Sequence, residues 1–157
     1  MSRIVSMSLK VVLIEPEIPW NTGNIGRSCD AAGAELHLVG RLGFSLSERR
    51  LKRAGLDYWE RLKPVHHESL ESFLHIVPPG APLLGFSAEG ERTHWDAPYA
   101  PDAWLLFGSE SRGLPPELRK RLGASLFRIP MKAPARSLNL STAAAVVLFE
   151  AARVLGE

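Results

Sequence analysis

A chain of 157 residues, 45% apolar and 23% charged, is long enough for one domain with a full core and too short for a second of ordinary size. That composition excludes a disordered or collagen-like polymer, and no apolar run reaches the length of a membrane span. The one cysteine, Cys29, excludes a disulfide framework and a zinc knuckle, while a net charge of +2 permits an acidic partner without demanding one.

The first residues, Met1 to Met7, are too few and too polar for a secretory signal, so residues 1–8 read as a short N-terminal extension of a cytoplasmic protein. Leu9 to Ile14 is a strand of β-branched and aliphatic residues that stops at Glu15-Pro16. A polar turn, Pro19 to Gly23, leads to a helix over Asn24 to Ala32, and Glu35 to Val39 is a second strand. Ser45-Leu46-Ser47-Glu48 has capping-box spacing and starts a helix ending at Gly55. Pro64 to His66 reads as a short strand and Ser69 to Ile76 as a helix. Leu83 to Phe86 and Trp104 to Phe107 are strands of buried character. Pro115 to Leu122 is a short helix, Leu126 to Ile129 a last strand, and Leu140 to Leu155 a last helix. On that helix Leu140, Ala144, Val147, Ala151 and Val154 or Leu155 share one face. Strands apolar on both faces and separated by helices imply an α/β fold, a parallel sheet with helices on both faces, in a single domain over residues 1–157.

The common nucleotide signatures are absent. Gly23-Asn24-Ile25-Gly26 follows the first strand, but neither a dinucleotide-binding fingerprint nor a phosphate-binding P-loop occurs. His37, His66, His67, His75 and His94 lack metal-ligand spacing, so no metal is expected. His66 and His67 read as surface residues, and Cys29 as core packing.

Three segments carry unusual polar content directly after strands. They are Asn21 to Arg27, Phe107 to Pro115, and Ile129-Pro130-Met131 leading to Arg136-Ser137-Leu138-Asn139-Leu140-Ser141. Each alone has an ordinary explanation, a helix cap or a proline-bounded turn. A single cap needs one side chain, however, and the third segment offers Ser137, Asn139 and Ser141 beside an arginine. Loops at the carboxyl ends of parallel strands are where ligands bind, and three such loops point to one site.

These segments resemble the motifs of the SPOUT superfamily of S-adenosylmethionine-dependent RNA methyltransferases, in its SpoU branch of ribose 2'-O-methyltransferases. The matching residues are Asn21 and Arg27, Phe107-Gly108-Ser109-Glu110 with Gly113-Leu114, and Ser137-Leu138-Asn139-Leu140-Ser141. Glu15 to Pro19, Asn21 to Ile25, Arg53 to Tyr58 and Ile129 to Met131 are similar to members acting on the tRNA wobble nucleotide. The likeness runs from about Leu9 to Leu155.

The resemblance implies a SPOUT-type fold with a C-terminal deep trefoil knot, S-adenosyl-L-methionine as cofactor, a homodimer, and the tRNA anticodon loop as substrate. Carried onto this chain, the cofactor contacts fall on Phe86, Gly108, Ile129 and Ser137, with Leu138 adjacent. The catalytic positions fall on Arg27, Glu110, Asn21 and Asn139. A ribose hydroxyl is a poor nucleophile until its proton is lost or shared, so the protein must orient it and help remove that proton. An arginine is hard to deprotonate, which favours Arg27 as a phosphate clamp over Arg27 as a base. Glu110 is expected to anchor Arg27 or a loop amide, with Asn21 and Asn139 bracing the loops.

Arg49, Arg50, Lys52 and Arg53 put four cations on one predicted helix, and Tyr58 and Trp59 follow as rings able to stack on unpaired bases. These are the candidate RNA contacts, although a solvated helix face explains a basic run equally. Two other functions stay open at this level. One is a ribosomal RNA methyltransferase of the same branch, whose larger relatives carry an extra N-terminal domain. The other is a non-catalytic RNA-binding dimer on the same fold.

Overall fold

The structure, a computed structural model, describes residues 9–47 and 58–156. Seven strands form one sheet among these residues: β1 (Lys10–Ile14), β2 (Glu35–Val39), β3 (Val65–His67), β4 (Leu83–Phe86), β5 (Arg92–Thr93), β6 (Trp104–Phe107) and β7 (Leu126–Arg128). Their order is β3-β2-β1-β6-β4-β7-β5, and every pairing is parallel. The helices are α1 (Pro19–Ala32), α2 (Trp59–Leu62), α3 (Leu70–Ile76), α4 (Pro116–Leu122) and α5 (Leu140–Val154).

Strand alternation explains the two layers of core. Val11 and Leu13 of β1 face Ile25 and Cys29 of α1 and Ala144, Val147, Leu148 and Ala151 of α5. Val12 and Ile14 point the other way, toward Phe73 of α3 and Leu118 and Leu122 of α4. With both faces covered, β1 reads as an unbroken apolar run. Each such side chain, fully removed from water, contributes about 1.5–3 kcal/mol. Burial also pushes the Cys29 thiol up to about 12, which fits packing and not reactivity.

Helix α1 starts earlier than the polar content of Pro19 to Gly23 suggests. Pro19 occupies the first turn, where a fixed φ suits a helix and a missing N–H costs nothing. The preceding amides of Glu17 and Ile18 donate to the Glu110 carboxylate at 2.9 and 2.8 Å, a long-range anchor invisible in local sequence. Gly26 is required by close approach: a Cβ there would lie 2.8 Å from the Trp59 ring of α2. The expected helix over Ser45 to Gly55 lies largely outside the described residues. Strand β5 and the 3-10 turn at His94–Asp96 carry too few residues for any periodicity, and the sequence does not reveal them.

The histidines correct another expectation. His67 is half-buried and not simply a surface residue: its ring stacks on buried His37 at 5.2 Å with planes 8° apart. His37 Nε2 lies 2.9 Å from a Glu35 carboxylate oxygen, and His37 Nδ1 lies 2.9 Å from His67 Nε2. A carboxylate only accepts, so neutral His37 carries its proton on Nε2 and its Nδ1 accepts from His67. Burial holds both rings below the ordinary histidine range, overriding Glu35 at His37 and reinforced by the neighbouring charges of His37 and His66 at His67.

Both rings therefore bind protons less readily folded than unfolded. Their contribution is full above the unfolded value near about 6.5 and is lost as pH falls through the depressed folded values. Thermal melts stepped from about pH 7.5 down to about 5.5 should show a falling Tm. His67→Gln keeps a donor to His37 but does not titrate, so it should make that fall shallower. An equal slope in the variant would exclude His67 as a source; His37 and His94, shifted the same way by burial, supply the remainder.

Candidate active site

The strand order reverses direction at the β1–β6 junction, with Leu13 opposite Phe107. A crevice opens beyond the carboxyl ends of parallel strands at such a point. Here a cavity of about 520 Å³ lies between the ends of β4, β6 and β7 and the start of α5. Phe86, Gly108, Ile129, Ser137 and Leu138, the five expected cofactor contacts, all line it. Asn21, Glu110 and Asn139 line it as well.

Three of the four expected catalytic side chains form a continuous hydrogen-bond relay. Asn139 Nδ2 donates to Asn21 Oδ1 at 3.1 Å, and Asn21 Nδ2 donates to Glu110 at 3.2 Å. Glu110 also takes the amides of Glu17 and Ile18. At the other end Asn139 Oδ1 accepts from Ser141 N at 2.9 Å, Ser141 Oγ at 2.6 Å and Thr142 N at 3.4 Å, which caps α5. One amide side chain thus both caps one helix and joins it to another, α1, over a hundred residues away. Motifs from α1, the loop after β6 and the start of α5 become one rigid unit.

A second strap runs in reverse. The Glu17 carboxylate accepts from Ser111 Oγ at 2.5 Å and Ser111 N at 3.0 Å. Those two hydrogen bonds, the hydroxyl's first, hold the Glu17 carboxyl below its ordinary range. The loop between them closes on itself through Gly113 N to Ser109 O at 2.9 Å and Ser109 N to Gly113 O at 3.3 Å. Gly108 is indispensable to that closure, because a Cβ there would fall 1.9 Å from the Gly113 carbonyl carbon. Gly113 itself sits at φ +68°, where side chains are strained.

Arg27 stands apart. Six residues beyond Asn21, it lies on a different face of α1, exposed and outside the residues that line the cleft. Its guanidinium lies 5.8 Å from the Tyr58 ring. Tyr58 corrects an expectation: it is 4% exposed and its hydroxyl donates to Gly23 O at 2.5 Å. A ring so enclosed supports Arg27 and α1 and offers no face to a base. Arg49, Arg50, Lys52 and Arg53 lie outside the described residues.

Sequence reasoning missed Glu17 and Ser111 as partners, and it missed Glu89 and Arg119. Arg119 pairs with Glu89 on the cleft wall, and its buried Nε has no hydrogen-bond partner. The one available signal was the Glu-Pro-Glu-Ile-Pro run between a strand and a helix, too polar for a mere turn.

The chain matches the SpoU rRNA methylase family model over residues 8–149. It belongs to the SpoU rRNA methylase family. A tRNA (cytidine(34)-2'-O)-methyltransferase of Yersinia pestis is 45% identical over 153 residues, spanning 94% of each chain. A structure solved for 2-OH methylation of C/U34 on tRNA superposes with a TM-score of 0.90 at 47% identity, covering 94% of this chain and 96% of that one. The SpoU methyltransferase AviRb of Streptomyces viridochromogenes, solved with AdoMet, gives a TM-score of 0.86 at 28% identity over 95% of this chain and 61% of its own. Among the described residues of this SpoU-family chain, no helix is long and apolar enough to cross a membrane. Nor does any cluster of three or more His, Cys, Asp or Glu side chains there suit a metal ion.

Removing the Glu110 carboxylate orphans the Glu17 and Ile18 amides and the Asn21 amide group together. Glu110→Ala should lower unfolding free energy by about 2 kcal/mol, and Glu110→Gln by less because it keeps one acceptor. Urea denaturation of the three proteins measures this; equal midpoints would show that the relay carries no stability.

Proposed function

We propose that this SpoU-family protein transfers a methyl group from S-adenosyl-L-methionine to the ribose 2'-hydroxyl of the tRNA wobble nucleotide, a cytidine or modified uridine. The observation that carries the reading is the Glu110–Asn21–Asn139 relay, which gathers the three motif loops around one cleft. The Yersinia pestis relative and the C/U34 structure support the substrate, since each matches nearly the full length of both chains. The family name refers to rRNA, but the AviRb-like relative is much longer than this chain.

The cleft fits the cofactor. Phe86, Ile129 and Leu138 supply apolar surface for an adenine, and the orphaned Arg119 Nε is a buried donor on the same wall. When bound, S-adenosylmethionine supplies a methyl on a cationic sulfur that departs as a neutral thioether. The protein's part is to hold the ribose hydroxyl in line with that methyl and let its proton leave. The oxygens of Glu110 already accept three hydrogen bonds among the described residues and are turned to the protein's own amides. Its role is positioning, shared with Asn21 and Asn139, and the proton passes to a phosphate oxygen or a water. Arg27 clamps RNA phosphate.

The active unit in this reading is a cytoplasmic homodimer of single-domain chains. Exposed Ile18, Leu138, Val146, Phe149 and Val154, at 39 to 48% accessibility near the packed α1 and α5, support such a face. Since Arg27 lies off its own chain's cleft, its clamp serves the cleft of the second copy. We also assign the C-terminal part the trefoil knot of the family. Supporting it, β7, the last strand, pairs between the earlier β4 and β5, and α5 follows.

Incubation with methyl-labelled S-adenosylmethionine and tRNA should place label on the wobble ribose. Label on another nucleotide, or on rRNA alone, would refute the substrate. Arg27→Ala should lower turnover by ~100-fold while S-adenosylhomocysteine binds normally in calorimetry. Wild-type turnover in that variant would remove Arg27 from the mechanism.

A further inference from the structure

We infer that Arg112 and Arg136 hold the two phosphodiesters that flank the target ribose. The inference rests on the RNA methyl-transfer reading and deepens it. A ribose inside an RNA chain carries one phosphate on each side, so seating its 2'-hydroxyl in the cleft brings two anions to the mouth.

The charges on the cleft wall leave two cations for them. Its carboxylates are Glu89 and Glu110 and its cations Arg112, Arg119 and Arg136. Glu110 is occupied by Glu17, Ile18 and Asn21, and Glu89 by Arg119. Adjacent Glu17 is held by hydrogen bonds from Ser111, and the Arg112 charge acts on it only through space, as the smallest of its influences. Among the described residues the side chains of Arg112 and Arg136 make no hydrogen bond or ion pair, and both residues are exposed. The start of α5 offers no substitute, since Asn139 has taken the Ser141 and Thr142 amides.

Arg112 is mounted on a hydrogen-bonded turn, and Arg136 stands on an exposed stretch of the cleft wall. Arg112 sits in the closed Ser109–Gly113 turn, its amide donating to Ser109 Oγ at 3.2 Å, beside strapped Ser111. Arg136 lies three residues before Asn139, which is locked to Asn21. A planar guanidinium presents two parallel donors to a phosphate, and a fixed base limits the entropy lost on contact.

The test is tRNA binding across a salt series, with S-adenosylhomocysteine calorimetry on the same proteins. Arg112→Ala and Arg136→Ala should each lower tRNA affinity ~10-fold. Each should also flatten the slope of log affinity against log salt by about 0.7. Arg→Lys at either site should restore the slope but only part of the affinity, while S-adenosylhomocysteine binding stays unchanged throughout. A doubly substituted protein with wild-type tRNA affinity and slope would overturn the inference while leaving the methyl-transfer reading intact. So would lost S-adenosylhomocysteine affinity with an unchanged salt slope, which assigns the arginines to the cofactor's carboxylate. A wild-type protein that binds no tRNA overturns both.

Discussion

The site depends on one small fact of hydrogen bonding: an amide side chain can donate and accept at once. Asn21 and Asn139 each do both, and Glu110, an acceptor only, ends the series. Aspartate at Asn21 would face Glu110 with a second negative charge, and leucine would leave the carboxylate and Asn139 partly unpaired. The order amide, amide, carboxylate is therefore dictated by the donors waiting at each end, the first amides of α5 and those preceding α1. The sheet brings these ends close, and the relay fixes their spacing.

Elements with strong burial patterns were legible in the sequence because the physics that forms them is local. β1, β2, β4 and β6 are short runs of aliphatic and aromatic residues, and α5 shows its buried face at helical steps. The start of α1 was not legible, because its amides are satisfied from Glu110, some ninety residues away. Likewise nothing near His67 announces the buried ring it meets on the neighbouring strand. The motif residues were recognisable as a set, while their mutual bonding was not. Asn139 could be read as a cap or as a site residue, and it is in fact a cap that also reaches across the cleft.

Arg27 shows where reading a motif by spacing breaks down. Asn21 and Arg27 belong to one segment, yet helical rotation turns them to different faces, one toward the cleft and one against Tyr58. A linear motif on a helix can serve two surfaces. Of the three arginines on the cleft wall, Arg119 comes from α4, while Arg112 and Arg136 come from loops, where side-chain direction follows turn geometry and no period reveals it.

The placement of β7 has a consequence for assembly. A strand that enters between two predecessors cannot dock until the gap that receives it exists, so the pairing with β4 and β5 comes late and spans long stretches of chain. The cleft borrows a wall from the segment C-terminal to that strand, beginning at Ile129. A polypeptide still on the ribosome, with its last segment undelivered, therefore has a cleft open along one wall; the enclosure is complete only once that segment has docked, and retention of ligand gauges its arrival.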